Sequence, residues 1–161
     1  MASITHADIY AEVRAYMLGL FSCPPETIIQ SQQQYKAFPD DAIVMSILSE
    51  QALDMANSYY QPANDKVIVQ QSVQVNMQVE FYGEMGAERA RKLCNLWQNH
   101  YTVDRLHCCQ PLYCECTPQR DCAPDKKLQQ GWQVVLTLQY NPEFELDQVY
   151  LEKPEITLIN L

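Results

Sequence analysis

Glycine is scarce in this chain. The 161 residues contain four, Gly19, Gly83, Gly86 and Gly131. Their spacing makes neither GxGxxG nor GxxxxGK[ST], so the glycine-rich loops that cradle phosphates are excluded. Basic residues are also few. Eleven Lys and Arg stand against twenty Asp and Glu, giving a formal charge of −9 and a pI of about 4.6. Gripping nucleic acid through its phosphates needs the opposite balance. A protein that surrounds DNA without holding it remains compatible with this charge. No apolar run approaches the ~20 residues of a membrane helix. The N-terminal segment is interrupted by His6, Asp8, Glu12 and Arg14 and has no basic n-region, unlike a secretory signal. The expectation is a chain made in the cytoplasm, with no membrane partner. Histidine is limited to His6, His100 and His107, and no GxSxG or HExxH signature occurs. His100 is expected at the C-terminal end of a helix, where it complements the dipole. Asp40, Asp41 and Glu26 read as a solvated acidic loop. The convergent groups that a catalytic site requires are not visible, and no enzyme activity is expected.

What is present is ordinary globular material. Hydrophobic residues are 47% and charged ones 19% of the chain, a balance that folds rather than stays disordered. At 18.6 kDa the chain suits one domain, residues 1–161, able to bury roughly 70% of its unfolded surface.

The apolar spacing predicts a helix over 7–20, with Ile9, Val13, Tyr16, Met17 and Leu20 on one stripe. Thr5 and Asp8 form an approximate capping box, and Cys23-Pro24-Pro25 ends the helix. Residues 26–60 read as extended chain, with a largely buried strand at 43–48 between turn residues. Leu53, Met55 and Tyr59 would share one strand face. The clearest signal lies at 66–82, where apolar residues occupy odd positions from Val67 to Phe81 and polar ones the even positions. That is the period of a strand with one buried face. Ile68 on the polar side and Gln71 on the apolar side break the pattern. Seventeen such residues would span roughly 55 Å, more than a strand usually runs. The surplus must bend or leave the body of the domain. Residues 61–65 are expected at the tip of a hairpin with arms at about 51–60 and 66–75.

A second helix is expected at 86–101, with Ala90, Leu93, Cys94, Trp97 and Tyr101 inward. Residues 102–131 read as irregular. A strand follows at 132–140, ended by Asn141-Pro142, and Ile156 and Leu158 suggest a last short strand. The expected class is α+β: one domain with a mostly antiparallel twisted sheet, a long β-hairpin and two flanking helices.

Seven cysteines occur, an odd number that cannot pair completely within one chain. In a reducing compartment they are expected as thiols. Five crowd with His107 into one region: Cys108, Cys109, Cys114, Cys116 and Cys122. Thiolates and imidazole ligate zinc, but no C-x-x-C pair occurs, only C-C, C-x-C and C-x5-C. Three readings stand: thiols packing as small apolar residues, a structural zinc drawn from those five, or a disulfide formed after cell lysis. No metal or cofactor is expected on this spacing. In a strand, Cys114 and Cys116 would point the same way. The polar strand faces are rich in glutamine, at Gln70, Gln74, Gln78, Gln133 and Gln139. Such an uncharged, hydrogen-bonding surface suits stacking on a neighbouring subunit as well as contact with water.

Taken in order, several segments resemble the tail terminator, or neck terminator, proteins of long-tailed bacteriophages. They are Val79-Glu80-Phe81-Tyr82-Gly83, Ala87-Glu88-Arg89-Ala90, Gln110-Pro111-Leu112-Tyr113-Cys114, Gln129-Gln130-Gly131-Trp132, Leu138-Gln139-Tyr140-Asn141-Pro142 and Ile156-Thr157-Leu158-Ile159. The resemblance implies a non-enzymatic virion protein at the head–tail junction, built as a twisted sheet flanked by helices. It implies a homohexameric ring that caps the tail tube, ends its polymerisation and joins it to the head-side connector or adaptor, with DNA passing through the bore. Subunit contacts are then expected at the hairpin, through Tyr59, Tyr60, Gln61, Pro62, Val67 and Val69, and at the last strand, through Ile156 and Leu158. Two other readings are another ring of the neck, such as a head-completion or adaptor protein, and a monomeric zinc-binding or redox module built on the cysteines.

Overall fold

The structure is a computed structural model that describes residues 3–31, 39–119 and 131–147. Helix α1, His6–Phe21, begins at the capping box read from the sequence: the Asp8 N–H donates to Thr5 Oγ1 and the Thr5 N–H donates to Asp8. Ser22 closes it in the left-handed region, and a 3-10 turn, Pro25–Thr27, leads into β1, Ile28–Gln30. Strands β2 (Ile43–Ala52), β3 (Asn57–Gln61), β4 (Lys66–Gln70) and β5 (Val73–Phe81) follow. Then come α2 (Gly86–Trp97), α3 (His100–Val103), β6 (Gln110–Gln119), β7 (Gly131–Tyr140) and β8 (Glu143–Asp147). The expected α+β class holds. A five-stranded sheet runs β1-β2-β5-β7-β6, antiparallel except where β1 pairs with β2, and a three-stranded sheet runs β3-β4-β8.

Helices cover one face of the larger sheet. The inward residues of β5, Val73, Val75, Met77, Val79 and Phe81, are buried with Val134, Leu136 and Leu138 of β7. Against them lie Ile9, Val13, Met17 and Leu20 of α1 and Ala90, Leu93 and Trp97 of α2. Two polar contacts pin this layer: Tyr16 Oη to Thr102 Oγ1 at 2.7 Å, and Trp97 Nε1 donating to the Thr137 carbonyl at 3.2 Å. Gly83, at φ +87°, turns the chain out of β5; a Cβ there would meet the Asp40 carbonyl at 2.9 Å.

Several expectations need correction. The single strand over 66–82 is two strands, β4 and β5, broken at Gln71 and Ser72. The break sits beside the two residues that violated the alternation. On β4 the buried residue is Ile68, an even position, whereas β5 buries its odd positions. The phase of a period-two pattern inverts because the chain changes sheets. Correspondingly β2 ends at Ala52 and β3 starts at Asn57, so Leu53 and Met55 lie between strands and are exposed. The hairpin arms that flank the tip are thus 57–61 and 66–70.

The helix expected over 86–101 stops at Trp97 and restarts at His100, because Asn99 caps the next turn by accepting the Tyr101 N–H. His100 therefore opens α3 rather than closing α2. Within the region expected to be irregular, residues 110–119 form β6. Pro111 and Pro118 counted against a strand, but β6 is an edge, where a missing N–H is tolerated. The strand β8 after Asn141-Pro142 was not expected; its alternation Glu143-Phe144-Glu145-Leu146-Asp147 was the available signal. Ile156 and Leu158 lie outside the described residues.

Candidate assembly surface

The long hairpin changes character along its length. In its lower half, β2 and β5 belong to the main sheet, and a bulge at Leu48 releases the Ile47 N–H, which donates to Tyr10 Oη at 2.7 Å. At the break, Leu53 N–H donates to the Ser72 carbonyl at 2.9 Å. Ser72 N–H donates to Asp54 Oδ1 at 2.9 Å, and Gln71 Nε2 to the Asp54 carbonyl at 2.8 Å. Beyond this joint the upper half is the ribbon β3-β4-β8.

Register assigns the ribbon's two faces. Tyr60, Val67 and Leu146 stand opposite one another, as do Ser58, Val69 and Phe144. Side chains directly opposite in antiparallel pairs share a face, so these six residues form one mainly apolar face. It is open: Tyr60 is 48%, Phe144 60% and Leu146 53% exposed. The other face carries Tyr59, Lys66, Ile68, Gln70, Glu143 and Glu145. It is crossed by Lys66 Nζ to Glu145 at 2.8 Å and Gln70 Nε2 to Glu143 at 3.0 Å. The Lys66 ammonium leads in drawing the Glu145 carboxyl down to about 2. Of the residues expected at a subunit contact, Tyr60, Val67 and Val69 share the apolar face, and Tyr59 lies on the charged one. Gln61 ends β3 and Pro62 begins the turn. One edge of the hairpin is covered by β8 of the same chain, cover that the sequence reading had assigned to a neighbour.

The face of the main sheet away from the helices, uncovered among the described residues, is the second open surface. Gln74, Asn76, Gln78 and Glu80 of β5 lie opposite Gln139, Thr137, Val135 and Gln133 of β7. Amide ladders tie the strands: Gln133 Nε2 to Gln78 at 3.0 Å, Thr137 Oγ1 to Asn76 at 3.1 Å, and Asn76 Nδ2 to Ser49 at 3.0 Å. A shallow concavity of about 250 Å³, lined by Leu48, Gln74, Asn76, Tyr113, Val135 and Thr137, sits at its middle. Leu48 is 54% and Tyr113 50% exposed there.

Among the described residues, the clustered cysteines form two groups rather than one. Cys108 and Cys109 turn to Glu12 of α1. That carboxylate accepts the His107 N–H at 2.6 Å, the Cys108 N–H at 2.9 Å and Cys108 Sγ at 2.7 Å; Cys109 Sγ lies at 3.6 Å. Burial would raise the Glu12 carboxyl, but these donors, Cys108 Sγ first, outweigh it and hold it below its ordinary value. Burial, then Glu12, pushes Cys108 up to about 12, and burial raises Cys109 as well. Three donor atoms within 4.8 Å of one another are of a kind that ligates a divalent cation, yet each is already engaged in this turn. Cys114 and Cys116 do share a face of β6, and they turn to Cys94 of α2. Cys122 lies outside the described residues. Among the described residues the expected candidates are thus divided, Cys108 and Cys109 facing Glu12 and Cys114 and Cys116 facing Cys94. Glu12 and Cys94 were missed as partners, since no spacing rule connects them to the cluster.

A small α+β chain with two open, hydrogen-bonding or apolar strand surfaces is built to pack against other proteins. Among the described residues no helix is long and apolar enough to cross a membrane. A family model described as phage neck terminator protein matches residues 7–160. The chain belongs to the phage neck terminator family, and its role is a structural one in the neck of a virion. No curated protein matches the sequence.

Proposed function

We propose that residues 1–161 act as one domain and that six copies form a ring at the head–tail junction. The ring caps the tail tube, ends its polymerisation, and presents its other surface to the head-side connector or adaptor. DNA passes through the bore without sequence-specific contact. The observation that carries this reading is the ribbon's apolar face, with Tyr60, Phe144 and Leu146 exposed beside half-buried Val67 and Val69, in a chain of the neck terminator family. Contiguous apolar surface of this kind marks a protein contact. A head-to-tail ring covers it once per subunit, with closure fixed by the rotation between neighbours. The net charge of −9 supports a lumen that repels phosphate and lets DNA slide. The chain acts by contact, without catalysis and without a cofactor, and is made in the host cytoplasm before joining the particle.

The test is reconstitution. Purified chain is mixed with tail tube protein and followed by light scattering and negative-stain microscopy. Six-membered rings at the end of tubes of arrested length are expected. A chain that stays monomeric with tube present, and leaves tube growth unchanged, would overturn the reading. Rings that ignore the tube but bind the head-side connector would move the role to another ring of the neck.

A further inference from the structure

The second cysteine group has no part in the assembly surfaces. Cys94 lies on α2 and Cys114 on β6, twenty positions apart in sequence, with Sγ atoms 2.9 Å apart. Cys114 Sγ is also 3.4 Å from the Cys94 carbonyl. The Sγ–Sγ separation of 2.9 Å is only about 0.9 Å longer than a disulfide bond of ~2.05 Å. Helix α2 packs directly on β6, and the two side chains already meet at their sulfur atoms. Both thiols are half-buried and free. Cys116, two residues along the same strand face, also contacts Cys94.

We propose that Cys94 and Cys114 are a cross-linking site, converted by a small-molecule disulfide into one bond that staples α2 to the sheet's edge strand. The thiolate of one cysteine attacks the small-molecule disulfide, releases one thiol and forms a mixed disulfide. The second cysteine then attacks that bond and releases the other thiol. Two Sγ–H bonds and one small-molecule S–S bond break. One Sγ–Sγ bond forms, and the two electrons and two protons appear in two small thiols. Burial, followed by Cys114, pushes the Cys94 thiol up to about 12, and burial raises Cys114 too. The exchange is therefore slow, as suits a lasting link rather than a rapid sensor. The Cys108 and Cys109 thiols turn instead to Glu12. The inference concerns the single chain and does not depend on ring formation.

The full-length chain is reduced, incubated with oxidised glutathione, quenched with an alkylating agent and mapped by peptide mass spectrometry. A Cys94–Cys114 linked peptide is expected, together with a Tm about 5–10 °C above that of the reduced chain. Cys94→Ser and Cys114→Ser should each abolish both the linked peptide and the shift, and Cys116→Ser should keep both. If Cys94→Ser folds poorly, Cys114→Ser on the edge strand makes the same test. Glutathione adducts without a linked peptide, Cys94 joined only to Cys116, or a link that leaves Tm unchanged would each overturn the proposal.

Discussion

The backbone N–H of Ser72 donates to the carboxylate of Asp54 at 2.9 Å, across the point where the long hairpin leaves one sheet and enters another. Neither residue belongs to a strand. With Leu53 N–H donating to the Ser72 carbonyl, this contact sets how the ribbon meets the body of the domain. Asp54→Ala removes one exposed charge-assisted hydrogen bond, a loss of about 1 kcal/mol. Tm should fall by about 2–4 °C. Hydrogen exchange should quicken at residues 53–56 and 71–72 while β7 stays protected. Equal quickening throughout the main sheet would show that Asp54 supports the whole fold rather than the joint.

The ribbon's apolar face gives a second expectation. Phe144 and Leu146 are exposed in the single chain, so replacing both with Ser removes little packing within it. Surface changes of this kind usually alter stability only slightly, and Tm should move by no more than about 2–3 °C. Ring formation in the presence of tube protein should be lost. A variant that unfolds would contradict the placement of this face at the surface, and one that still rings would remove it from the interface.

Glu12 should carry a part of the acid response, alongside Asp8 and Glu145, whose carboxyls are lowered too. Its carboxyl titrates lower in the folded chain than its ordinary 4.5 because Cys108 Sγ and the His107 and Cys108 N–H groups prefer the ion. A carboxyl lowered by folding contributes stability that is complete above its unfolded value and disappears as pH falls through its folded value. Urea midpoints should therefore fall more steeply below about pH 4.5 in the parent than in Glu12→Gln. At neutral pH the variant should be the less stable of the two, since a carboxamide receives those N–H donors less well. Parallel acid profiles would remove Glu12 from the acid response.

Trp97 anchors α2 to the sheet, fully buried and hydrogen-bonded to the Thr137 carbonyl. Trp97→Ala should cost about 3–5 kcal/mol, a large share of a typical domain's stability. The urea midpoint should drop accordingly. A loss under about 1 kcal/mol would mean that the α2–sheet contact is not part of the core.

Read residue by residue, the sequence was informative wherever a local period matched a buried face. The stripe of α1, its Thr5–Asp8 cap and the alternations of β5 and β7 each follow from one element meeting one core. The resemblance to the neck terminators rested on a different set of segments, running in order from Val79–Gly83 to Ile156–Ile159, of which only some touch the ends of β5 and β7. Ile68 and Gln71 recorded the sheet change as two faults in an otherwise regular pattern, but a fault in a period does not say where the chain goes next. Strand β6 was hidden because proline forbids a central strand and permits an edge, and edge position belongs to the assembled sheet. The candidate surface was half legible. The hairpin tip and its tyrosines were visible, while Phe144 and Leu146 were not.

The chain's own order of residues determined its helices, its inward strand faces and its acidic, glycine-poor character, because propensity, capping and side-chain alternation act over a few neighbouring positions. Only the tertiary structure decided that β8 returns beside β4 to complete the ribbon, that Glu12 meets Cys108, and that Cys94 meets Cys114. Each joins segments far apart in sequence, and which of many such pairs come together depends on how the whole core closes.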